Sequence, residues 1–188
     1  MSNFLWKRNL FPLPLNPIYI EATSQWRGLY FIGEINPTSS RHHRWILTTT
    51  NYFTKWIEVV KTRKISYVVI LKFLEEKILY RCCFPRIIIT DNAKDFKSKK
   101  MISFFHDYHI NLIHSTMYYP QGNGLVESSN KSLDRIIKKL LQDKKKDWHT
   151  KIIFSLWESR ISTKKSIGTS PFQLVYITEL IFPLLLGL

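Results

Sequence analysis

The chain has 188 residues, enough for one core of ordinary size and too few for two comfortable domains. It carries 28 Lys and Arg against 14 Asp and Glu, a net charge of +14 that favours a polyanionic partner such as nucleic acid. Hydrophobic residues make up 45% and aromatic residues 14%, which excludes a disordered basic tail. We expect an extended lead-in at 1–25, a folded core at 26–164 and a truncated helical extension at 165–188.

Neither end of the chain predicts a membrane segment. The first twenty residues, MSNFLWKRNLFPLPLNPIYI, contain prolines at positions 12, 14 and 17 that would break the helix of a signal peptide. The C-terminal IFPLLLGL is far shorter than the roughly 20 residues that span a bilayer. The two cysteines, Cys82 and Cys83, are adjacent, which favours a reducing compartment over a disulfide framework. We expect an intracellular protein with no membrane partner.

The first part of the chain predicts a three-stranded antiparallel meander followed by a helix. Runs rich in β-branched and aromatic residues cover Gly28 to Ile35, Arg44 to Tyr52 and Lys55 to Val60, with turn residues between them. From Ile65 to Tyr80 the apolar residues recur at spacings of three and four, as on one face of a helix.

The stretch from Arg86 to Phe96, RIIITDNAKDF, predicts a short buried strand that ends in the carboxylate of Asp91. A helix between the meander and this strand implies a crossover to a parallel neighbour. Ligands bind at the carboxyl ends of strands in open α/β sheets, so Asp91 is a candidate site residue. The alternative is that Asp91 only caps a turn.

A second helix is predicted from Ser98 to Tyr108, and a last short strand from Ile110 to His114. The expected buried side of that helix comprises Met101, Ile102, Phe104, Phe105 and Tyr108. Further helices are predicted at Asp147 to Lys164, with Trp148, Ile152, Ile153, Leu156 and Trp157 as its large apolar residues, and at Ser170 to Tyr176.

A glycine-rich loop and a long helix lie between these elements. The loop contains Tyr119, Gln121 and Asn123 among two glycines and a proline, a composition that cannot hold a helix interior. The helix is predicted from Leu125 to Gln142. Its polar residues Glu127, Lys131, Arg135 and Lys138 are spaced by four, four and three and therefore share a face. A solvated helix face is the alternative to a binding role for the three cations.

Asp91 and Glu127 form a candidate metal-binding pair, with 35 residues between them (127 − 91 − 1). Mg²⁺ prefers oxygen ligands in octahedral geometry, and two such ions about 3.5 to 4 Å apart can drive phosphodiester chemistry. A site of that kind normally uses a third carboxylate, and the first strand is the place to look for it.

Six segments carry a resemblance to a known family when they are taken in chain order. They are YFIGEINP, HRWILTTTNYFTKWIEVV, IIITDNAKDF, HSTMYYPQGNGLVESSNKSL, DWHTKI and GTSPFQLVY. Together they resemble the catalytic core of retroviral and gypsy-type LTR retrotransposon integrases, with plant elements the nearest. The resemblance covers nearly the whole chain. It implies an α/β, ribonuclease H-like fold with a five-stranded mixed sheet flanked by helices. It also implies DNA integration in the nucleus by polynucleotidyl transfer, with Mg²⁺ or Mn²⁺ held by Asp91 and Glu127 of a three-carboxylate (DDE) motif.

The resemblance also implies partners. Lys131, Arg135 and Lys138 would contact the ends of retroelement DNA or the target DNA, together with Tyr119, Gln121 and Asn123 of the loop. A homo-oligomer is possible, since the tryptophans at 148 and 157 are expected in the core or at an oligomer contact. Such integrases usually carry a zinc domain before the core and a DNA-binding module after it, so we expect this chain to be a fragment of a larger polyprotein.

One departure from the family pattern concerns catalysis. Where the family has an Asp in the first strand, in a pattern like WGLDFIG, this chain has Tyr30 in RGLYFIG. A neutral phenol with a pKa near 10 cannot replace a carboxylate that bridges two cations. Glu34 would lie about 13 Å further along an extended strand, and Asp95 is expected to cap the following helix. We therefore expect a catalytically impaired domain. The alternatives are a non-catalytic nucleic-acid-binding relic and an interaction module with the same fold.

Overall fold

The computed structural model describes residues 26–81, 84–91, 93–114 and 146–178. Its strands are β1 (Trp26–Ile32), β2 (Trp45–Asn51), β3 (Ile57–Thr62), β4 (Ile87–Thr90) and β5 (Asn111–His114). They form one sheet in the spatial order β3-β2-β1-β4-β5. Its helices are α1 (Tyr67–Leu74), α2 (Lys99–Asp107), α3 (Trp148–Ile161) and α4 (Pro171–Tyr176).

The pairing of the strands confirms both parts of the predicted topology. β1, β2 and β3 pair antiparallel as a meander. β4 pairs parallel to β1, and β5 pairs parallel to β4, so α1 is the crossover from the meander into the parallel half. A five-stranded mixed sheet with flanking helices is the α/β architecture expected of a ribonuclease H-like fold.

The ends of two strands differ from the prediction because of local backbone chemistry. β1 ends at Ile32 and does not reach Ile35, because Gly33 adopts φ +135° and a Cβ there would lie 2.7 Å from the carbonyl oxygen of Arg44. β3 begins at Ile57. The residues before it form a turn in which Asn51 Oδ1 accepts the backbone N–H groups of Phe53 and Thr54 at 2.9 and 2.8 Å.

Serine caps begin three of the helices. Ser66, Ser98 and Ser170 each accept a backbone N–H of the first turn on their side-chain oxygen, at the starts of α1, α2 and α4. α1 continues into a π-helical segment, Glu75–Leu79, so the helix predicted from 65 to 80 is present with a wider last turn.

The two faces of the sheet carry separate hydrophobic clusters because side chains alternate along each strand. Leu29, Leu47 and Ile88 pack on one face against α1 and α2. Ile46 and Ile57 pack on the other face against α3. Trp148, Ile152 and Leu156 supply the buried side of α3.

One residue predicted to be buried, Ile102, is exposed, and two large apolar residues of α3 are exposed as well. Ile102 is 56% exposed on α2, although Met101, Phe104 and Phe105 beside it are buried as predicted. On α3, Ile153 is 60% and Trp157 43% exposed. Successive residues on a helix are about 100° apart, so a run of apolar residues extends around more of the helix than the face that packs on the sheet. The residues beyond that face are exposed.

Several predicted segments lie outside the described residues. These are the lead-in at 1–25, the glycine-rich loop, the helix from 125 to 142 and the end of the chain beyond residue 178. Within the described ranges, none of the helices combines the length and the apolar character that crossing a membrane requires.

Candidate functional site

Asp91 and Tyr30 lie next to each other at the carboxyl end of the parallel strands. Leu29 of β1 and Thr90 of β4 are paired in the parallel register, and Tyr30 and Asp91 are the next residues of the two chain segments. Neighbouring strands are about 4.8 Å apart. The fold therefore brings Tyr30 to the side of Asp91, across a sequence separation that no local pattern bridges.

Asp91 is exposed and takes part in a tight turn. Its Oδ1 accepts the backbone N–H of Ala93 at 3.0 Å, so the turn-capping role considered from the sequence is present. The turn engages one carboxylate oxygen and holds the group at the open edge of the sheet. Capping and a binding role are compatible, because a carboxylate has two oxygens with several acceptor positions.

Tyr30 lies on a crowded and almost fully buried part of the sheet. Its side chain is 6% exposed and shares a face of β1 with Gly28, whose Cβ position lies against the ring of Tyr52. A methyl group added at Gly28 would be 3.1 Å from Tyr52 Cε1 and 3.2 Å from the hydroxyl. Burial, and then the neighbouring Tyr30, raise the pKa of the Tyr52 phenol well above its ordinary value. The phenol of Tyr52 is therefore held in its protonated form on the same face as Tyr30.

The residues at this edge do not fit the complete metal site that the integrase resemblance implies. Of the three expected acidic positions, the described residues include two, and one of these is Tyr30. Within those residues, no group of three or more His, Cys, Asp or Glu side chains lies together as a metal site would require. The third position, Glu127, is outside the described residues. A buried phenol offers a cation neither the charge nor the space of the carboxylate that the resemblance places there.

The two acids considered as substitutes for a carboxylate at Tyr30 lie in other parts of the structure. Glu34 lies beyond the end of β1 and forms an ion pair with Arg44 at 2.9 Å. Asp95 lies inside a 3₁₀ turn, Lys94–Lys97, and the cap of α2 is Ser98. The prediction that Asp95 caps the following helix is therefore wrong, because the short 3₁₀ turn separates it from the start of α2.

The other sequence-predicted site residues lie outside the described part of the chain. These are Glu127, the three cations Lys131, Arg135 and Lys138, and the loop residues Tyr119, Gln121 and Asn123. Their roles stay predictions.

A group of cations that the sequence did not single out gathers at the β3 side of the same sheet edge. Lys61 Nζ donates to the backbone carbonyl of His149 at 2.7 Å, and Arg63 Nε donates to the carbonyl of Arg41 at 3.2 Å. The backbone N–H of Ser40 donates to the carbonyl of Lys146 at 2.8 Å. We call the four cations Arg41, Lys61, Arg63 and Lys146 the basic corner. No motif marks them, because they come from two strand ends and a helix start far apart in sequence.

The pKa of His43 is affected by the cations of the basic corner. Its Nδ1 lies 3.1 Å from Ser39 Oγ, and its ring centroid is 5.7 Å from that of His149. Burial lowers the pKa of His43 below the ordinary value of 6.5, and His149, Lys61, Arg63 and Arg41 lower it further. The imidazole therefore favours its neutral form.

A buried acid fixes the end of α3 against the start of β3, away from the basic corner. Glu58 is 8% exposed, and its carboxylate accepts the indole N–H of Trp56 at 2.9 Å and Arg160 Nη2 at 3.0 Å. The Arg160 guanidinium also lies 4.2 Å over the Trp56 ring. This contact holds the end of α3 in place on the same face as Tyr30.

Comparison with known proteins gives one consistent group of relatives. The chain is 28% identical over 154 residues to the Pol polyprotein of Feline endogenous virus ECE1 and, over the same length, to the Gag-Pol polyprotein of Baboon endogenous virus (strain M7). It is 27% identical over 135 residues to the Gag-Pol polyprotein of Gibbon ape leukemia virus. These matches cover 79%, 79% and 71% of the chain.

The chain spans only 14%, 9% and 8% of the lengths of those polyproteins. No family model matches the chain. The similarity therefore extends to one segment of a long polyprotein. Together with the mixed five-stranded sheet, it supports a domain derived from the pol region of a retroelement.

Proposed function

We propose that this chain is the integrase-type core domain of a gypsy-type retroelement and that it binds DNA without catalysing strand transfer. The similarity to retroviral Pol polyproteins and the order of strands and helices support the ancestry. The single observation that carries the loss of catalysis is the position of Tyr30, buried beside Asp91.

The physical reason is the charge that two divalent cations require. Two-metal phosphoryl transfer depends on carboxylates that hold both ions against the attacking and leaving oxygens. Tyr30 would have to ionise in a site where burial already opposes ionisation of the adjacent Tyr52. A phenol supplies no negative charge unless it ionises, so Asp91 and Glu127 alone leave the positive charge of the ions under-compensated.

The proposal includes the expectations that came with the resemblance. The core extends over residues 26–164, the partners are retroelement ends and target DNA, and the site of action is the nucleus. Residual Mg²⁺ or Mn²⁺ binding involves Asp91 and Glu127, and the domain works as part of a homo-oligomer. The net charge of +14 supports a polyanionic partner.

Strand transfer measured with matched substitutions at Tyr30 tests this function. The chain is joined to the zinc-binding and C-terminal DNA-binding domains of an active integrase and supplied with Mn²⁺ and a labelled DNA end. We expect background product from the unmodified chain and from Tyr30→Asn, and product well above background from Tyr30→Asp. Asn has the size of Asp without its charge, so it controls for the loss of the ring.

Two outcomes would contradict the proposal. Strand transfer by the unmodified chain at the level of Tyr30→Asp would show that the domain is an active enzyme. Failure of the unmodified chain to bind duplex DNA at low salt would remove the nucleic-acid function. The double variant Tyr30→Asp with Asp91→Asn should return to background, because it removes the neighbouring carboxylate.

A further inference from the structure

The basic corner is held together by backbone contacts and not by acidic side chains. The side chain of Arg63 donates a hydrogen bond to the backbone carbonyl of Arg41, and that of Lys61 donates one to the carbonyl of His149. These bonds bring cations from the β1–β2 connection and the end of β3 to the start of α3, against their mutual repulsion. Carbonyl oxygens orient a cation but do not cancel its charge.

The nearby carboxylates are paired with other cations. Glu34 forms an ion pair with Arg44 at 2.9 Å, and Asp147 forms one with Lys151 at 3.3 Å. In the part of the chain that the structure describes, Arg41, Lys61 and Arg63 form no ion pair with a carboxylate. Within the described ranges, the corner therefore presents positive charge that no carboxylate pairs with, and Arg41 and Arg63 are exposed there.

These cations lie close enough to lower the pKa values of groups within the corner and beside it. Burial, and then Arg41, lower the pKa of Lys61. The pKa of His43 is lowered by burial and by the positive groups around its ring. A bound polyanion would relieve this repulsion, whereas a neutral partner would not.

The sheet register places Lys61 on the same edge and face as Tyr30, and Asp91 follows β4 at the position level with Tyr30. Tyr30 pairs with Thr48, which pairs with Val59 on β3, and Lys61 is two residues further on the same face as Val59. Three strand spacings and two residues along the strand separate Asp91 from Lys61 by about 16 Å. That distance is about five base pairs along duplex DNA.

We propose that the basic corner binds the phosphodiester backbone of duplex DNA and so fixes the direction in which a duplex leaves the Asp91 edge. The duplex as partner rests on the proposed function. The position of the contact rests on the bonds made by Lys61 and Arg63 and on the backbone bond that brings Lys146 next to Ser40 and Arg41. Contacts of this kind orient a duplex and carry no sequence information.

The surroundings of the corner favour DNA over a lipid surface. Basic sites that bind membranes usually combine cations with exposed apolar side chains that enter the bilayer interface. The large hydrophobic side chains that are exposed in the described residues lie elsewhere, for example Ile153 and Phe154 on α3. None of them falls in the connection from Glu34 to Arg44 or at the end of β3.

Duplex binding by charge-neutralised variants tests the proposal. Fluorescence anisotropy with a short labelled duplex is recorded over a range of salt concentrations. We expect Arg41→Gln with Arg63→Gln to weaken binding on the order of tenfold and to lower the salt slope by about two. The control removes the same charge from the opposite face by Lys72→Gln with Lys99→Gln, and should change affinity less than twofold.

The single variant Arg41→Gln guards against an effect on folding. The bond from Arg63 ends on the backbone carbonyl of Arg41, so this substitution leaves it in place. Arg41→Gln should unfold at the same temperature as the unmodified chain and lower the salt slope by about one. A normal slope in this folded variant would overturn the proposal.

The pKa of the His43 imidazole tests whether phosphate binds at the corner, because a loss of charge elsewhere on the protein would not change the effect of DNA on this pKa. Ser39, Arg41, Lys61, Arg63 and His149 face this ring. Phosphate placed among the cations should raise the pKa of His43, followed by NMR titration with the duplex. The rise should be absent in the Arg41→Gln, Arg63→Gln variant. A duplex-induced rise of equal size in that variant would contradict the assignment.

The outcomes separate this inference from the function on which it rests. If the unmodified chain does not bind duplex DNA, the proposed function fails and the inference fails with it. If the chain binds duplex but the corner variant matches the opposite-face control, only the inference fails. Tighter binding to duplex RNA or to anionic lipid vesicles than to DNA would also overturn it.

Discussion

Tyr30 of β1 and Asp91, the first residue after β4, each lie one position beyond the Leu29–Thr90 pair of the two parallel strands. This relationship decides what the carboxylate can do. Asp91 keeps its place at the carboxyl edge of the sheet and caps the turn to Ala93, while its neighbour is a buried phenol. Among the described residues of this edge, Asp91 therefore has a phenol at the position where a paired carboxylate would help to hold divalent cations.

Replacement of Gly33 tests the strained turn that ends β1. Gly33→Ala forces a Cβ to 2.7 Å from the Arg44 carbonyl at φ +135°, and should lower the free energy of unfolding by about 2–3 kcal/mol. Gly168→Ala is the control, because Gly168 also has positive φ, +68°, but open space around it. It should cost about 1 kcal/mol. Equal losses in chemical denaturation would contradict the clash with Arg44.

Neutralisation of Glu58 tests the contact between β3 and α3. Glu58→Gln removes the charge that accepts from Arg160 and Trp56 in a side chain only 10% exposed. It should lower the free energy of unfolding by about 2 kcal/mol. Glu76→Gln breaks the exposed pair with Lys72 at 3.7 Å and should cost under about 0.5 kcal/mol. A loss at Glu58 no larger than at Glu76 would show that the buried contact is not stabilising.

The pH dependence of stability tests the environment of His43. Its folded pKa is lowered below the ordinary 6.5, so the unfolded chain binds more protons as pH falls through 6.5. The contribution of His43 is fully present above pH 6.5 and is lost as the pH falls toward the folded value. His43→Asn should remove this part of the acid destabilisation in thermal melts.

The matched control is the neighbouring exposed histidine. His42 has φ +61°, a conformation that Asn accepts, so His42→Asn keeps the backbone of the loop. The slope of stability against pH should then remain as in the unmodified chain. An unchanged slope in His43→Asn would contradict the burial of a neutral imidazole.

The sequence predicted the described part of the sheet well because its signals are local. Three β-rich runs, the apolar IIIT run before Asp91 and the spacing of residues in α1 each identify an element by its own period. The strand ends were less accurate, because Gly33 and the turn at Asn51 depend on contacts made across the hairpins. Ile102 was misplaced because the sequence of apolar residues does not state which face of a helix is covered.

The candidate site was only partly accessible to sequence reasoning. Tyr30 stood out because a carboxylate was expected there, and the register then placed it beside Asp91. The basic corner carried no signal, since Arg41, Lys61 and Arg63 meet only after the meander has formed. Its cations are bound to carbonyl groups whose position is set by tertiary structure.

Mn²⁺ binding to matched variants tests the central claim most directly. Titration calorimetry compares the unmodified chain, Tyr30→Asp, Tyr30→Asn and Asp91→Asn. We predict that the unmodified chain binds Mn²⁺ no more tightly than Tyr30→Asn, and that Tyr30→Asp binds it at least tenfold more tightly, because a second carboxylate then lies beside Asp91. Tight Mn²⁺ binding by the unmodified chain, equal to that of Tyr30→Asp and lost in Asp91→Asn, would contradict the account.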